Sequence, residues 1–540
     1  MTGTAERVEK PAPAEEQLGT RAASGVLWLV AQKWAVRVSG FLTLIVLTHQ
    51  LTPQAFGVVA AAMTVIPMVY LLSDLGFSTY LLQTEDIDRK SLSTAFWASV
   101  TAGAALSAGL VAVAPLLADA FRTPELTVVL RALVLAVVPT VLAGVPLALL
   151  RRALEFRTVA VQSLVAAILA QIVAVVIALL GGGVWALVGQ LVVTQSVIAV
   201  LAWWKVHWLP SFWLSLRQFR HMAAFGIRVS AVDLVATSRN AAESWIVTLA
   251  LGTPALGLLN VGQRIVQVAQ ELTAASLTPV STVVFAKVRE SWDRLRSAYL
   301  KALGVAYAVV SPIMIVIVVT APVSIPLLFG DAWRASVLPA QALAVAGIIT
   351  LGAMLDQGLF YGLGRPGAWL TYAIVVDAAT VATTAVAVRW GLAGVAVGFV
   401  GVAIAATGAR WVLVGRILGL PVRTMARPFL TVMVPAAAAM VLGSLTLGLV
   451  TPLGSLAALV LSGFVTVVVD VVLLRLLGAG IIRDAIGVLP VPQRYARQAG
   501  RWLLLHPGGR HRAGVPASAY HPGGRHRAGV PAQAHHPSGS

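Results

Sequence analysis

The chain has 540 residues, 58% of them hydrophobic and 11% charged, with 39 Lys and Arg against 21 Asp and Glu for a net charge of +18. Soluble domains carry about 25% charged residues, so a soluble enzyme is excluded, and the absence of Cys excludes disulfides, thiolate catalysis and Cys-based zinc or iron–sulfur sites. The composition implies an all-α polytopic membrane protein, because a bilayer admits segments of about 20 apolar residues that satisfy their own backbone groups.

In chain order, fourteen transmembrane helices are predicted near 24–48, 55–81, 92–118, 126–150, 157–180, 184–204, 221–250, 255–285, 298–328, 335–362, 367–388, 391–414, 428–450 and 454–477. The first follows a polar tail, 1–23, with Glu15 and Glu16, and contains Lys33 and Arg37, unlike a cleaved signal peptide. Pro67, Pro139, Pro279, Pro312 and Pro435 predict kinks, either static or moving with the helices around them. After the sixth helix, WLPSFWLSLRQF (Trp208–Phe219) mixes aromatic and basic residues and predicts an interfacial helix. GLGRPG (Gly362–Gly367) matches the dinucleotide fingerprint in letters but follows a membrane helix rather than a strand, so that reading fails. Gly394 and Gly398 form a GxxxG helix-packing pattern. From 478 to 540 the chain turns to Arg, His, Gly and Pro, with HPGGRHRAGVPA at His506–Ala517 and again at His521–Ala532, which predicts a basic, disordered tail.

Basic residues concentrate on alternate connections. One side holds twenty-eight of the 39, including Arg89 and Lys90, Arg151 and Arg152, and Arg416, Arg423 and Arg427, whereas the other holds only Arg122, Arg334 and Arg389. Both termini are therefore expected in the cytoplasm, with the chain in the cytoplasmic membrane and its basic side drawn to anionic inner-leaflet lipids. The +18 is thus a topology signal, and no nucleic-acid partner is expected.

Three ordered matches indicate an internal repeat. LTPQAFG (Leu51–Gly57) recurs 200 residues later as LGTPALG (Leu251–Gly257). PLLADAF (Pro115–Phe121) matches PLLFGDAW (Pro326–Trp333), and GGVWALVG (Gly182–Gly189) matches GLAGVAVG (Gly391–Gly398). They predict two pseudo-symmetric six-helix lobes, 24–220 and 221–427, related by an axis along the membrane normal, plus two C-terminal helices over 428–477.

The segments LTPQAFGVVA (Leu51–Ala60), LLSDLGFS (Leu71–Ser78), LSTAFW (Leu92–Trp97), VPLALLRRALEF (Val145–Phe156), SRN (Ser238–Asn240), LLFGDAW (Leu327–Trp333) and LGRP (Leu363–Pro366) carry a resemblance over residues 20–420. The chain resembles the Wzx-type polysaccharide flippases, which move lipid-linked oligosaccharides, of the multidrug/oligosaccharidyl-lipid/polysaccharide superfamily. It departs from the family at Thr48-His49, where Ala-Arg is usual, and at Ala242, where Asp is usual and Glu243 stands beside it. The resemblance implies that the first, second, seventh and eighth helices line a cleft between lobes that rock in alternating access. It also implies a polyprenyl-diphosphate-linked oligosaccharide as substrate, with a polysaccharide polymerase and glycosyltransferases as partners.

Polar residues in lipid are functional candidates. On the eighth helix, with Gln263 at 0°, Gln270 falls near −20°, Gln267 near 40°, Asn260 near 60°, Glu271 near 80° and Arg264 near 100°, a stripe about 120° wide. Such a stripe faces either a water-filled cavity or a polar partner helix. On the seventh helix Arg239 and Glu243 have pairing distance along one face. Asp233 maps onto Lys33 by the 200-residue offset, which predicts an inter-lobe Lys33–Asp233 pair. Arg37, Arg239 and Arg264, supported by Lys33, are the expected phosphate ligands. Gln263 and Gln267 are expected to bond sugar hydroxyls, and Glu243 and Glu271 to lie in the same cavity. Lys301 and Arg410 are expected to snorkel to the cytoplasmic interface. No catalytic, metal or cofactor motif is present. The expected function is flipping of a lipid-linked oligosaccharide for cell-surface polysaccharide biosynthesis. Lipid II flipping or multidrug export within the superfamily are the alternatives, and a membrane glycosyltransferase or polymerase lacks the loops to hold a catalytic site.

Overall fold

In a computed structural model, residues 13–84, 87–288 and 291–488 are described, and every regular element among them is a helix. In chain order these are α1 (Pro13–Gln50), α2 (Pro53–Asp74), α3 (Phe77–Gln83), α4 (Arg89–Ala120), α5 (Glu125–Arg152), α6 (Phe156–Leu179), α7 (Val184–Lys205), α8 (Leu216–Leu251), α9 (Thr253–Val288) and α10 (Trp292–Phe329). They continue with α11 (Val337–Thr350), α12 (Gly352–Gly362), α13 (Pro366–Ala387), α14 (Gly391–Leu418), α15 (Val422–Val450) and α16 (Ser455–Val488). Among the described residues, ten stretches are long and apolar enough to cross a membrane, one of which, Gly367–Leu418, holds α13 and α14 in succession. The long helices α8 and α9, which carry Arg239, Glu243, Gln263, Arg264, Gln267 and Glu271, fall outside that set.

Local chemistry explains the boundaries. In the LTP turn the Thr52 hydroxyl accepts the Ala55 N–H at 3.3 Å and Pro53 opens α2, where a missing N–H is harmless. The segment expected as one helix over 55–81 is two, broken at Leu75 and Gly76, both with left-handed φ (45° and 73°). A Cβ at Gly76 would meet the backbone of Gly226 on α8, so the break is where two backbones touch. The tenth expected span divides at Leu351 into α11 and α12.

Three expectations change. The Trp208–Phe219 helix is absent up to Ser215, where the chain carries Pro210 and runs without regular structure against the start of α4. Trp97 donates its Nε1–H to the Ser211 carbonyl at 2.9 Å, and Trp97 stacks on Phe212. Ser215 then caps α8, its Oγ accepting the Gln218 N–H at 3.4 Å. At the other end, α16 continues past 478 to Val488, with non-helical angles only at Gly478 (φ −137°, ψ 35°). Helix α1 likewise begins at Pro13, inside the stretch expected as a tail. The N-terminal residues 1–12 and the repeat-bearing 489–540 lie outside the described residues.

Within the first lobe α2 packs on α4 and α5, α1 on α6, and α7 on α5 and α6. In the second lobe α9 packs on α10, α11 and α12, α8 on α13, and α14 on α11 and α13. The lobes meet chiefly through α2 against α8 and α9, while α15 and α16 pack on each other and on α10. The repeat is visible as a reciprocal contact. A Cβ on Gly57 would overlap the Thr253 backbone, and a Cβ on Gly257 would overlap the Pro53 carbonyl. Residue 57 touches 253 and residue 257 touches 53, as a twofold relation between repeats requires. Trp333, fully buried, seals the same end. Its Nε1–H donates to the Thr48 carbonyl at 3.0 Å and its ring meets Phe56 edge-on at 5.0 Å.

Asp470 of α16 is fully buried, and among the described residues neither carboxylate oxygen has a hydrogen-bond partner. An acidic residue at a helix centre in a bilayer costs about 2.5–3.5 kcal/mol on insertion scales. Asp470→Leu is therefore expected to raise the thermal midpoint of the purified protein; a fall in the midpoint would show that the carboxylate is needed for the packing of α16.

Candidate substrate cavity

Two polar cavities adjoin each other, sharing walls on α2 and α9. The first, of about 430 Å³, is enclosed by α1, α2, α6 and α7 with α9 from the opposite lobe, and its polar lining includes Arg37, Gln171, Gln190, Thr194, Asn260 and Arg264. The second, of about 580 Å³, is enclosed by α8, α9, α11, α13 and α14 with α2 from the opposite lobe. Its polar lining includes Arg239, Glu243, Asn260, Gln263, Gln267 and Asp377. Under the repeat, α1, α2, α6 and α7 around the first cavity correspond to α8, α9, α13 and α14 around the second, and α11 has no counterpart around the first.

The stripe on α9 is therefore split. Gln263, Gln267 and Gln270 face the second cavity, Arg264 faces the first, and Asn260 belongs to both walls. Glu271, at the Arg264 edge of the stripe, pairs with Arg37 of α1, which joins the two lobes. Arg37 lies 14 residues below the LTP turn, about 20 Å along α1, so this bridge sits well away from the Gly57–Gly257 seal.

In the second cavity Arg239 is the hub. It reaches Glu243 at 2.5 Å, four residues along the same helix, and donates through Nη2 to the Asn240 side-chain oxygen at 2.7 Å. Through Nε it reaches Asp377 of α13 at 3.0 Å. Glu243 is 5% exposed, so this ion pair is held largely out of solvent. Asp377 was not among the residues singled out by sequence. It is the one charged residue of α13, which was the one available signal.

Arg264 differs from the other two arginines: among the described residues its guanidinium has no carboxylate partner. The expected Lys33–Asp233 pair is not formed. Both side chains are exposed, and Asp233 lines a third cavity of about 450 Å³ with Asp74, Thr140 and Arg151. The reason is topological: α8 lies against α2 and α13, whereas α1 lies against α6, so equal repeat positions do not face each other. Arg410 does not snorkel either. It is 1% exposed and its Nη1 lies 3.0 Å from Oδ2 of Asp356, which is itself fully buried. Tyr299 donates its hydroxyl to Asp356, and Arg410 Nη2 donates to the Tyr307 hydroxyl at 3.3 Å. Gly352 leaves the space that the guanidinium occupies. Lys301 is exposed, as a snorkelling side chain is.

A family model described as "Polysaccharide biosynthesis protein" matches residues 46–338, more than half of the chain. The chain belongs to this family. Like it are the succinoglycan biosynthesis transport protein ExoT of Rhizobium meliloti (strain 1021), 25% identical over 365 residues, 66% of this chain and 72% of the relative. The lipopolysaccharide biosynthesis protein WzxC of Escherichia coli (strain K12) is 23% identical over 332 residues, 60% of this chain and 67% of the relative. Among solved structures, the lipid II flippase MurJ in an inward closed conformation superposes with a TM-score of 0.68 at 12% identity, over 84% of this chain and 100% of that one. An inward-facing multidrug resistance MATE family transporter of the MOP superfamily gives 0.56 at 18% identity, over 74% and 94%. This polysaccharide biosynthesis protein thus has the helical fold of that superfamily and is a multi-pass membrane protein.

Proposed function

We propose that the chain is a flippase that carries a polyprenyl-diphosphate-linked oligosaccharide across the cytoplasmic membrane for cell-surface polysaccharide biosynthesis. It transports this lipid without transforming it. Family membership supports the substrate class, as do its relatives, named for succinoglycan, teichuronic acid and lipopolysaccharide biosynthesis. The chain crosses the membrane fourteen times with both termini cytoplasmic, an orientation supported by the basic connections. Anionic inner-leaflet lipids, a polymerase and glycosyltransferases are its partners.

The observation that carries the mechanism is the unequal state of the three cavity arginines. Arg239 is neutralised by Glu243 and Asp377, and Arg37 by Glu271, while Arg264 has no carboxylate ion pair among the described residues. The diphosphate therefore binds first to Arg264 and recruits Arg37 by displacing Glu271. That exchange removes the bridge between α1 and α9 and lets the lobes part on the basic side. Sugar hydroxyls occupy the adjoining cavity, where Gln263, Gln267 and Asn260 donate and accept and the Glu243–Asp377 carboxylates accept. The prenyl chain stays in the lipid between the lobes.

A charge-assisted hydrogen bond contributes about 1.5–3 kcal/mol, or about ten- to a hundredfold in affinity. Arg264→Gln is accordingly expected to slow translocation of a defined polyprenyl-diphosphate oligosaccharide in proteoliposomes by at least about tenfold, with the thermal midpoint unchanged. The same vesicles loaded with lipid II or with a cationic drug separate the two other activities of the superfamily. Full transport by Arg264→Gln, or transport of the drug alone, would falsify the proposal.

A further inference from the structure

Apart from the cavities between the lobes, a pocket of about 420 Å³ opens on the basic side where α10, α15 and α16 meet. Lys301 of α10 and Arg427 of α15 both line it, with Thr424 and Thr431. Neither cation has an ion pair among the described residues, and no carboxylate lines the pocket. The α16 wall is Leu477–Ile481, where the kink at Gly478, the small Ala479 and the bare Gly480 leave the space unfilled.

The depth of the pocket identifies its occupant. Arg427 lies 23 residues from the far end of α15 and Lys301 lies 28 from the far end of α10, about 35 and 42 Å at 1.5 Å per residue. The hydrocarbon layer is about 30 Å thick and the bilayer with its headgroups about 40–45 Å, so both cations sit at headgroup level. Below Arg427 the same face of α15 continues as exposed Leu430, Val434 and Val441, at intervals of three, four and seven residues. A pair of unneutralised cations above an apolar track is complementary to a phosphodiester carrying acyl chains, not to a free anion.

We propose that this pocket is a binding site for the phosphate headgroup of an anionic phospholipid, with Lys301 and Arg427 as its ligands. The site is separate from the substrate cavities and fills the seam through which α15 and α16 attach to α10. It turns a general attraction between a basic surface and the inner leaflet into one stoichiometric lipid per chain.

The test is native mass spectrometry of the full chain released from detergent with phosphatidylglycerol or phosphatidylcholine of identical acyl chains. Each cation near an anionic headgroup contributes about 1 kcal/mol, about fivefold in affinity. The native chain is expected to retain one phosphatidylglycerol in preference to phosphatidylcholine. K301Q/R427Q is expected to lower that retention by about twenty-fivefold, while R416Q/R423Q, with the same change in charge at exposed positions, leaves it intact. Should the first double variant melt early, Arg427→Gln alone, at an exposed side chain, carries the test with an expected loss of about fivefold. Equal losses in both double variants, equal retention of the two lipids, or displacement of the lipid by millimolar inorganic phosphate would each overturn the site.

Discussion

Replacing Arg410 by Met is expected to destabilise the folded chain by about 3–5 kcal/mol, the range observed when one partner of a buried ion pair is removed. The reason is what remains. Asp356 is fully buried and loses the cation that pairs with it among the described residues, keeping the hydroxyl hydrogen bond from Tyr299. The double variant Arg410→Met with Asp356→Leu removes both charges and fills the space with carbon, so most of the stability should return. Tyr299→Phe isolates the smaller contribution and should cost about 1–3 kcal/mol. Thermal melts in detergent read all three. A double variant as unstable as the single one would mean that Arg410 acts through its packing against α10 and α12 and not through its charge.

The second large effect concerns closure. Gly57→Val is expected to stop transport in a chain that still folds, because its side chain would meet the Thr253 backbone and has no flexible neighbour to displace. Overpacking of this kind costs about 1–3 kcal/mol when neighbours can yield, and a backbone contact yields least. The lobes should then rest apart at the Thr52 end. The chain contains no Cys, so Asn260→Cys, on the wall shared by the two cavities, is a single reporter. A membrane-impermeant maleimide added outside should label it in Gly57→Val and leave it unlabelled in the parent. Unchanged protection with normal transport would rule out the Gly57–Gly257 contact as the seal.

Much of this arrangement was legible in the sequence because it depends on short spacings. The 200-residue echo of LTPQAFG in LGTPALG foretold a twofold relation, and the structure places the two glycines on reciprocal backbones. The polar stripe of α9 was readable as an arc, and Asn260, between its amide and cationic halves, lies where the two cavities adjoin. Arg239 and Glu243 are one helical turn apart and pair as that spacing allows. Other features required the third dimension. Asp377 reaches Arg239 across 138 positions of chain, and Asp356 reaches Arg410 across 54, so no local pattern pointed to either. An arginine near a helix end reads as a snorkelling residue until another helix is known to cover it. The Lys33–Asp233 expectation failed in the opposite way: repeat symmetry relates positions to each other but does not bring them into contact.

The reciprocal contact at Gly57 and Gly257 also acts as a pivot. Glu271 lies 14 residues beyond Gly257 on α9, a lever arm of about 21 Å. Rotating one lobe by about 10° about that fulcrum moves Glu271 by nearly 4 Å, enough to take it out of ion-pair range of Arg37 while the backbones at the fulcrum barely shift. The glycines keep the arm pinned at one end, and the Arg37–Glu271 pair is placed where a small angular movement becomes a decisive linear one.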